Sequence, residues 1–228
     1  MSEIELYNMD NFHYYPDENK FQIVFADFVY EDLNFDWVDK YWFHLKEGGL
    51  FIAMCDYHSN HRIRVYIEDL FNSTFINESA WKNEWGNHPK DRFHQCYDSI
   101  IIYSNVEKGW KFRSDRVQVP KATVNTKLNP SGRKTKTATA WIDDITLTTT
   151  AKERVKKKDG HLIRWQKPLK LYDRVIAPFC DEGDWILDPF MGSGSLGRWC
   201  RENNRNYVGI EIEKEPFLLA KENIEGKQ

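Results

Sequence analysis

Asp188-Pro-Phe-Met-Gly-Ser-Gly-Ser195 follows the apolar run Trp185-Ile-Leu187 and leads into a stretch of helical spacing from Leu196 to Asn203. Gly192 and Gly194 allow a tight turn and close backbone approach, and the N–H groups at a helix start suit an anion or carboxylate. The next strand-like run, Tyr207-Val-Gly-Ile-Glu211, ends in an acid. It lies roughly 20 residues further on, the spacing at which a carboxylate takes ribose hydroxyls in dinucleotide folds. Strand, glycine turn, helix and acid-tipped strand together predict a nucleoside-bearing cofactor. The turn lacks a GK[ST] ending, which argues against a phosphate-gripping P-loop, and no GxGxxG occurs.

Working outward, Phe21-Gln-Ile-Val-Phe-Ala26 and Gly48-Gly-Leu-Phe-Ile-Ala-Met-Cys55 read as buried strands, the second introduced by a glycine pair that can stop a helix. Phe35, Val38, Trp42 and Leu45 recur between them at helical spacing, as a parallel crossover requires. Further strands are predicted at Ile4 to Met9 and Ser99 to Ser104, and a last helix from Lys214 to Ile224. The fold class is α/β, with a doubly wound sheet whose ligands bind beyond the carboxyl ends of the strands. Asp10, Asp27, Asp56, Asp188 and Glu211 all fall just after predicted strands. That concentration of acids at one sheet edge predicts a polar ligand there.

The 228 residues suffice for one core plus an insertion. Net charge is −3, yet residues 108–170 hold 17 Lys and Arg against 5 Asp and Glu. Much of that segment is polar and hydroxyl-rich, so it reads as a long basic loop, either a solvated linker or a phosphate-binding surface. The interleaved Trp81, Trp85, Trp110, Phe112 and Trp141 favour nucleic acid, because such rings stack on exposed bases. Cys55, Cys96, Cys180 and Cys200 form no CxxC pair and are expected to be reduced thiols. His58 and His61 are two histidines without further ligands, so no metal is expected. The absence of a membrane-length apolar run and of a signal-like start predicts a cytoplasmic protein.

Taken together, these motifs resemble the β-class DNA amino-methyltransferases, which use S-adenosylmethionine and carry their motifs in circularly permuted order. Asp188-Pro-Phe-Met-Gly-Ser-Gly-Ser195 is similar to the family's DPFxGSGT, and Ile163-Arg-Trp-Gln-Lys-Pro-Leu-Lys-Leu171 to its HPxQKPxxL, with Ile163-Arg164 in place of His-Pro. The resemblance implies a Rossmann-like methyltransferase sheet with an inserted recognition region. It assigns Asp10, Lys167, Asp188, Phe190, Gly192, Ser193, Gly194 and Glu211 to the S-adenosylmethionine pocket. Residues 1–80 would be the catalytic half, 81–160 the target-recognition insertion and 161–228 the cofactor half.

The family's D-P-P-Y target loop is matched by Asp27-Phe-Val-Tyr30, without either proline. By resemblance, the Asp27 carboxylate and the Phe28 carbonyl accept hydrogen bonds from the amino group of a flipped base, on which Tyr30 stacks. The loss of both prolines removes fixed φ angles where an acceptor must be aimed, and the bulk of Phe28 is expected to intrude on the base pocket. The implied activity is methyl transfer to duplex DNA in a restriction-modification setting. Adenine N6 is the favoured target, because the family more often has Ser in place of Asp27 for cytosine N4. Arg133, Lys134 and Lys136 are the expected nucleic-acid contacts, and a homodimer is an expected assembly. The alternatives are a catalytically silent DNA-binding or regulatory protein on the same fold, and methyl transfer to RNA or another amine.

Overall fold

The computed structural model describes residues 2–28, 33–83, 89–124, 127, 131–146, 153–157, 160, 163 and 166–226. In chain order its elements are β1 (Ile4–Asn8), β2 (Phe21–Asp27), α1 (Asp36–Trp42), β3 (Leu45–Cys55), α2 (Asn60–Leu70), β4 (Thr74–Lys82) and β5 (Tyr97–Ser104). There follow β6 (Gln118–Pro120), β7 (Thr135–Thr137), β8 (Trp141–Ile142), α3 (Leu169–Val175), β9 (Trp185–Asp188), α4 (Ser195–Glu202), β10 (Asn206–Glu211) and α5 (Lys214–Glu225). Among the described residues, eight strands form one sheet in the order β1-β10-β9-β2-β3-β5-β4-β8. The first five of these run parallel, and β5 is antiparallel to both its neighbours.

Alternation along each strand divides the core into two layers. Ile23, Phe25, Leu50, Ile52 and Met54 pack toward Leu171, Tyr172, Leu196, Trp199 and Ile224 of α3, α4 and α5. Val24, Ala26, Phe51 and Ala53 pack toward Trp37, Val38, Tyr41, Ile63 and Ile67 of α1 and α2. With both faces covered, the central strands are nearly continuous apolar runs, as parallel sheets require. The chain leaves β9 through α4 toward β10 and leaves β2 through α1 toward β3, so adjacent strands β9 and β2 send their crossovers to opposite faces. A crevice opens at such a switch point, beyond the strand ends.

Two local readings are corrected. The glycine pair does not introduce the second strand: β3 begins earlier, at Leu45, and Gly48 lies inside it with φ 73°. That left-handed residue absorbs the shift from Phe21↔Leu45 to Ile23↔Leu50 in the β2–β3 register. Leu45 is therefore a strand residue, not the last position of a helical stripe. Trp81 is fully buried and its indole N–H donates to the Ile145 carbonyl at 2.7 Å, so it is unavailable for stacking on bases.

Nor is the basic segment uniformly a loop. Val119, flanked by Gln118 and Pro120, pairs with Lys136 in the β6–β7 ribbon, which leaves Arg133, Lys134 and Lys136 exposed. Earlier cations of the segment are spent internally. Lys111 reaches Asp184 at 2.5 Å and Asp181 at 3.3 Å, while Arg113 and Arg116 take Asp181 at 2.9 and 2.8 Å. These acids precede β9, so the network lies at the sheet edge opposite Asp27 and Asp188. Hydrogen bonds from Arg113, with help from Arg116 and Lys111, hold the Asp181 carboxyl well below the usual carboxylate range despite some desolvation. A depressed acid contributes stability that is present above its unfolded value and lost as pH falls below it. Asp181→Asn is expected to destabilise the fold by about 1 kcal/mol at pH 7. In thermal melts the gap from wild type should close as pH falls below about 4.

Candidate active site

At the end of β9 the chain turns through Gly192 (φ 53°) and Gly194 (φ 72°) into α4. A Cβ on Gly194 would stand 2.9 Å from both the Cβ and the carbonyl oxygen of Ala220 on α5, so position 194 requires glycine for space as well as conformation. Glu211, at the tip of β10, accepts the Gly192 N–H and the Glu213 N–H, both at 2.9 Å. Burial pushes its carboxyl upward, and those backbone donors oppose the shift. Ser193 is buried, its hydroxyl 2.9 Å from that of Ser195 and its carbonyl taking the Asn223 amide. Phe190 packs edge-on to Trp37, with centroids 5.0 Å apart.

Asp10 follows β1, the neighbour of β10, and caps the next turn by accepting the Phe12 N–H at 2.9 Å. Adjacent Asn11 donates to the Pro189 carbonyl at 3.3 Å. Its side-chain oxygen is buried and lacks a hydrogen-bond partner among the described residues. The floor between Asp10 and the glycine turn thus holds an acceptor in want of a donor, a fit for an amino-bearing heterocycle. Glu211 ends β10 and Asp10 follows the neighbouring β1, so both lie at the same edge of the sheet as the glycine turn.

The target-loop side lies one strand away, because β2 pairs directly with β9 through Ile23↔Ile186 and Val24↔Leu187. Asp27 closes β2, and Phe28 turns its ring inward. Phe28 is 4% exposed and packs against Phe35, Trp37 and Phe190 at 5.9, 5.4 and 6.5 Å. The expected intrusion of Phe28 into a base pocket is corrected: its ring belongs to the core beneath α1 because an apolar slot receives it. Tyr30 lies outside the described residues. Lys167 reaches the target loop, pairing with Asp27 at 2.5 Å while its own side chain is 7% exposed.

Sequence reading missed Asp98. It is the second residue of β5, opposite Trp81, and because β5 runs antiparallel, its first residues share the edge of Asp27 and Asp56. Burial raises its carboxyl to about 6, with Lys167 and an Asn83 hydrogen bond pulling down and Asp27 and Asp56 pushing up. No local motif marks it, since only the antiparallel pairing brings it there. His58 and His61 are exposed, and the described residues contain no cluster of three or more His, Cys, Asp or Glu able to hold a metal. No helix among them is long and apolar enough to cross a membrane.

A parallel-centred sheet with this switch point and a glycine turn facing an acid-tipped strand defines a class I methyltransferase fold. The family model described as DNA methylase, covering N6 and N4 methylases, matches residues 7–222, and the chain belongs to that family. The Type II methyltransferase M.HpaI of Haemophilus parainfluenzae is 28% identical over 202 residues, 87% of this chain and 60% of that protein. The chain thus spans well under two thirds of this relative. The crystal structure of the M1.HpyAVI–SAM complex matches with TM-score 0.67 at 24% identity, covering 96% of this chain and 98% of that one. PvuII DNA methyltransferase, named as cytosine-N4-specific, matches with TM-score 0.72 at 14% identity, covering 98% and 86%. At such identities these likenesses establish the fold.

The buried Asp188 yields a pH prediction. Desolvation raises its carboxyl to about 7, although Tyr207 donates to it at 3.0 Å and the Phe190 N–H at 3.2 Å. An acid raised on folding contributes stability that is present at low pH and lost as pH rises through the folded value. Asp188→Asn, permanently neutral and still an acceptor, is expected to gain in melting temperature relative to wild type between pH 5 and pH 8. A pH-independent offset would contradict this assignment.

Proposed function

We propose that the chain is an S-adenosylmethionine-dependent DNA methyltransferase acting on the exocyclic amino group of a base flipped from the duplex, adenine N6 in particular. The observation that carries this reading is the β2–β9 pairing, which sets Asp27 of the target loop beside the Asp188–Gly194 turn. Family membership and a fold relative named as a SAM complex support the cofactor. Glu211 would receive ribose hydroxyls and Asp10 and Asn11 the adenine edge, with Gly192, Ser193, Gly194 and Phe190 as the wall, a reading supported by their shared place at the ends of β1, β9 and β10. When bound, S-adenosylmethionine supplies a methyl group on a positively charged sulfur.

The protein's part is mainly alignment and exclusion of water. Asp27 and the Phe28 carbonyl would accept the two amino hydrogens, turning the nitrogen lone pair toward the methyl carbon, and Tyr30 would stack on the base. On methyl transfer the amino nitrogen held by these acceptors would give up one proton to an acceptor or to water. Asp at position 27 favours adenine. Arg133, Lys134 and Lys136 on the ribbon would neutralise phosphates, and the 81–160 region would supply recognition. Cytoplasmic residence, self-association as a homodimer and pairing with a restriction activity complete the reading. The rival is a silent homologue, favoured by one observation: Asp27 is already engaged by Lys167.

Incubation with labelled S-adenosylmethionine and mixed-sequence DNA, followed by digestion to nucleosides, is expected to yield N6-methyladenine. Asp27→Ala should lower turnover at least 100-fold with cofactor affinity nearly unchanged, the signature of a group acting on the transition state. Glu211→Ala should instead weaken cofactor binding measured by calorimetry. Neutralising Arg133, Lys134 and Lys136 together should flatten the salt dependence of DNA binding by up to ~0.9 in log–log slope for each phosphate that is no longer neutralised. Unchanged binding and slope would make the ribbon a spacer.

A further inference from the structure

We propose that Lys167, ion-paired to Asp27, is the positioning residue that aims the target-loop carboxylate in this chain. The proposal rests on the reading of Asp27 as an acceptor for the base amino group. In a loop with two prolines the backbone torsions after the acid are preset; Phe28 and Val29 preset neither. An acid at a strand end with an unrestrained loop behind it swings among rotamers, and each misaimed rotamer forfeits the near-attack geometry.

Two contacts replace that restraint. The Phe28 ring is anchored among Phe35, Trp37 and Phe190, which fixes the chain just past Asp27. The Lys167 ammonium takes Asp27 Oδ2 at 2.5 Å and so fixes the carboxylate through one oxygen. Lys167 is itself well placed to do this. Gln166 before it accepts the Val155 N–H at 2.9 Å and donates to the Glu153 carbonyl, and Pro168 after it caps α3. The lysine root is thus pinned on both sides, and its nearly buried stem leaves few rotamers.

Asp98 adds a second negative charge that acts on the lysine electrostatically. The groups facing Asp98 are Asp27 from β2, Asp56 from the end of β3, Asn83 beyond β4, and Lys167. Burial, opposed by Lys167, brings protonation of Asp98 to about pH 6. Below that pH the charge on Asp98 that acts on the lysine is lost.

Three readouts test the proposal. Lys167→Met is expected to lower kcat on DNA about 10- to 100-fold, with S-adenosylmethionine affinity by calorimetry within about twofold of wild type. Lys167→Arg should recover most of that loss, and exposed Lys170→Met should change nothing. Asp98→Asn should flatten the acidic limb of the kcat–pH profile near pH 6. Independently of turnover, amide hydrogen exchange over residues 21–28 should rise severalfold in Lys167→Met at an unchanged global melting temperature. Cofactor affinity falling tenfold with kcat intact at saturation would overturn the proposal and return Lys167 to the cofactor pocket. It is equally overturned if Lys167→Met keeps both wild-type kcat and wild-type exchange while Asp27→Ala is inactive, in which case the reading of Asp27 survives alone. Full activity of Asp27→Ala would sink the underlying reading and the proposal with it.

Discussion

The parallel pairing of β2 with β9 is the contact on which the site depends. It joins segments distant in sequence through a short ladder, Ile23↔Ile186 and Val24↔Leu187, and places the switch in crossover direction there. Because α1 and α4 leave toward opposite faces, no helix covers the strand ends between them, and the acid-bearing turns meet over that gap. On the cofactor side the requirement is close packing. Gly194 lies against Ala220, and Gly197 has no room for a Cβ between Ile224 and Tyr207, so α4 sits directly on α5 and β10.

Charge is distributed by function across the two edges of the sheet. Below the strand starts, Lys111, Arg113 and Arg116 are matched by Asp181 and Asp184, binding the connector after β5 to the segment before β9. That network adds a tie between the early and late halves of the chain to those made through the sheet and the core. At the opposite edge Lys167 pairs with Asp27, and Asp27, Asp56 and Lys167 all act electrostatically on Asp98. Repulsion and desolvation at that edge reduce stability, a cost accepted where polar ligands must be bound. The ribbon's exposed cations, Arg133, Lys134 and Lys136, provide the basic surface that DNA would meet.

The target loop shows how one restraint substitutes for another. Proline stiffens a loop from within its own backbone, whereas here an aromatic anchor and an ion pair do so from outside. Restraint from outside depends on elements far along the chain: Phe190 follows the β9 turn and Lys167 precedes α3. The end of β2 is thereby coupled mechanically to the later segments around Lys167 and Phe190, through the Phe28–Phe190–Trp37 contact and through Lys167.

The sequence by itself determined the α/β class, the strands around Phe21–Ala26, Leu50–Cys55, Trp185–Asp188 and Tyr207–Glu211, and the glycine turn. These follow from local rules, since apolar runs, helical spacing and glycine between strand and helix are properties of neighbours. It also marked the strand-end acids, because an acid that ends an apolar run announces its own position. Tertiary structure alone decided that Phe28 is core, that Trp81 is too deep to stack, that the cations at 111, 113 and 116 are already paired, and that Asp98 and Lys167 stand beside Asp27. Each of those outcomes depends on which distant segment packs nearby. Partners across a sheet are selected by the fit of whole surfaces, which no single stretch of chain encodes.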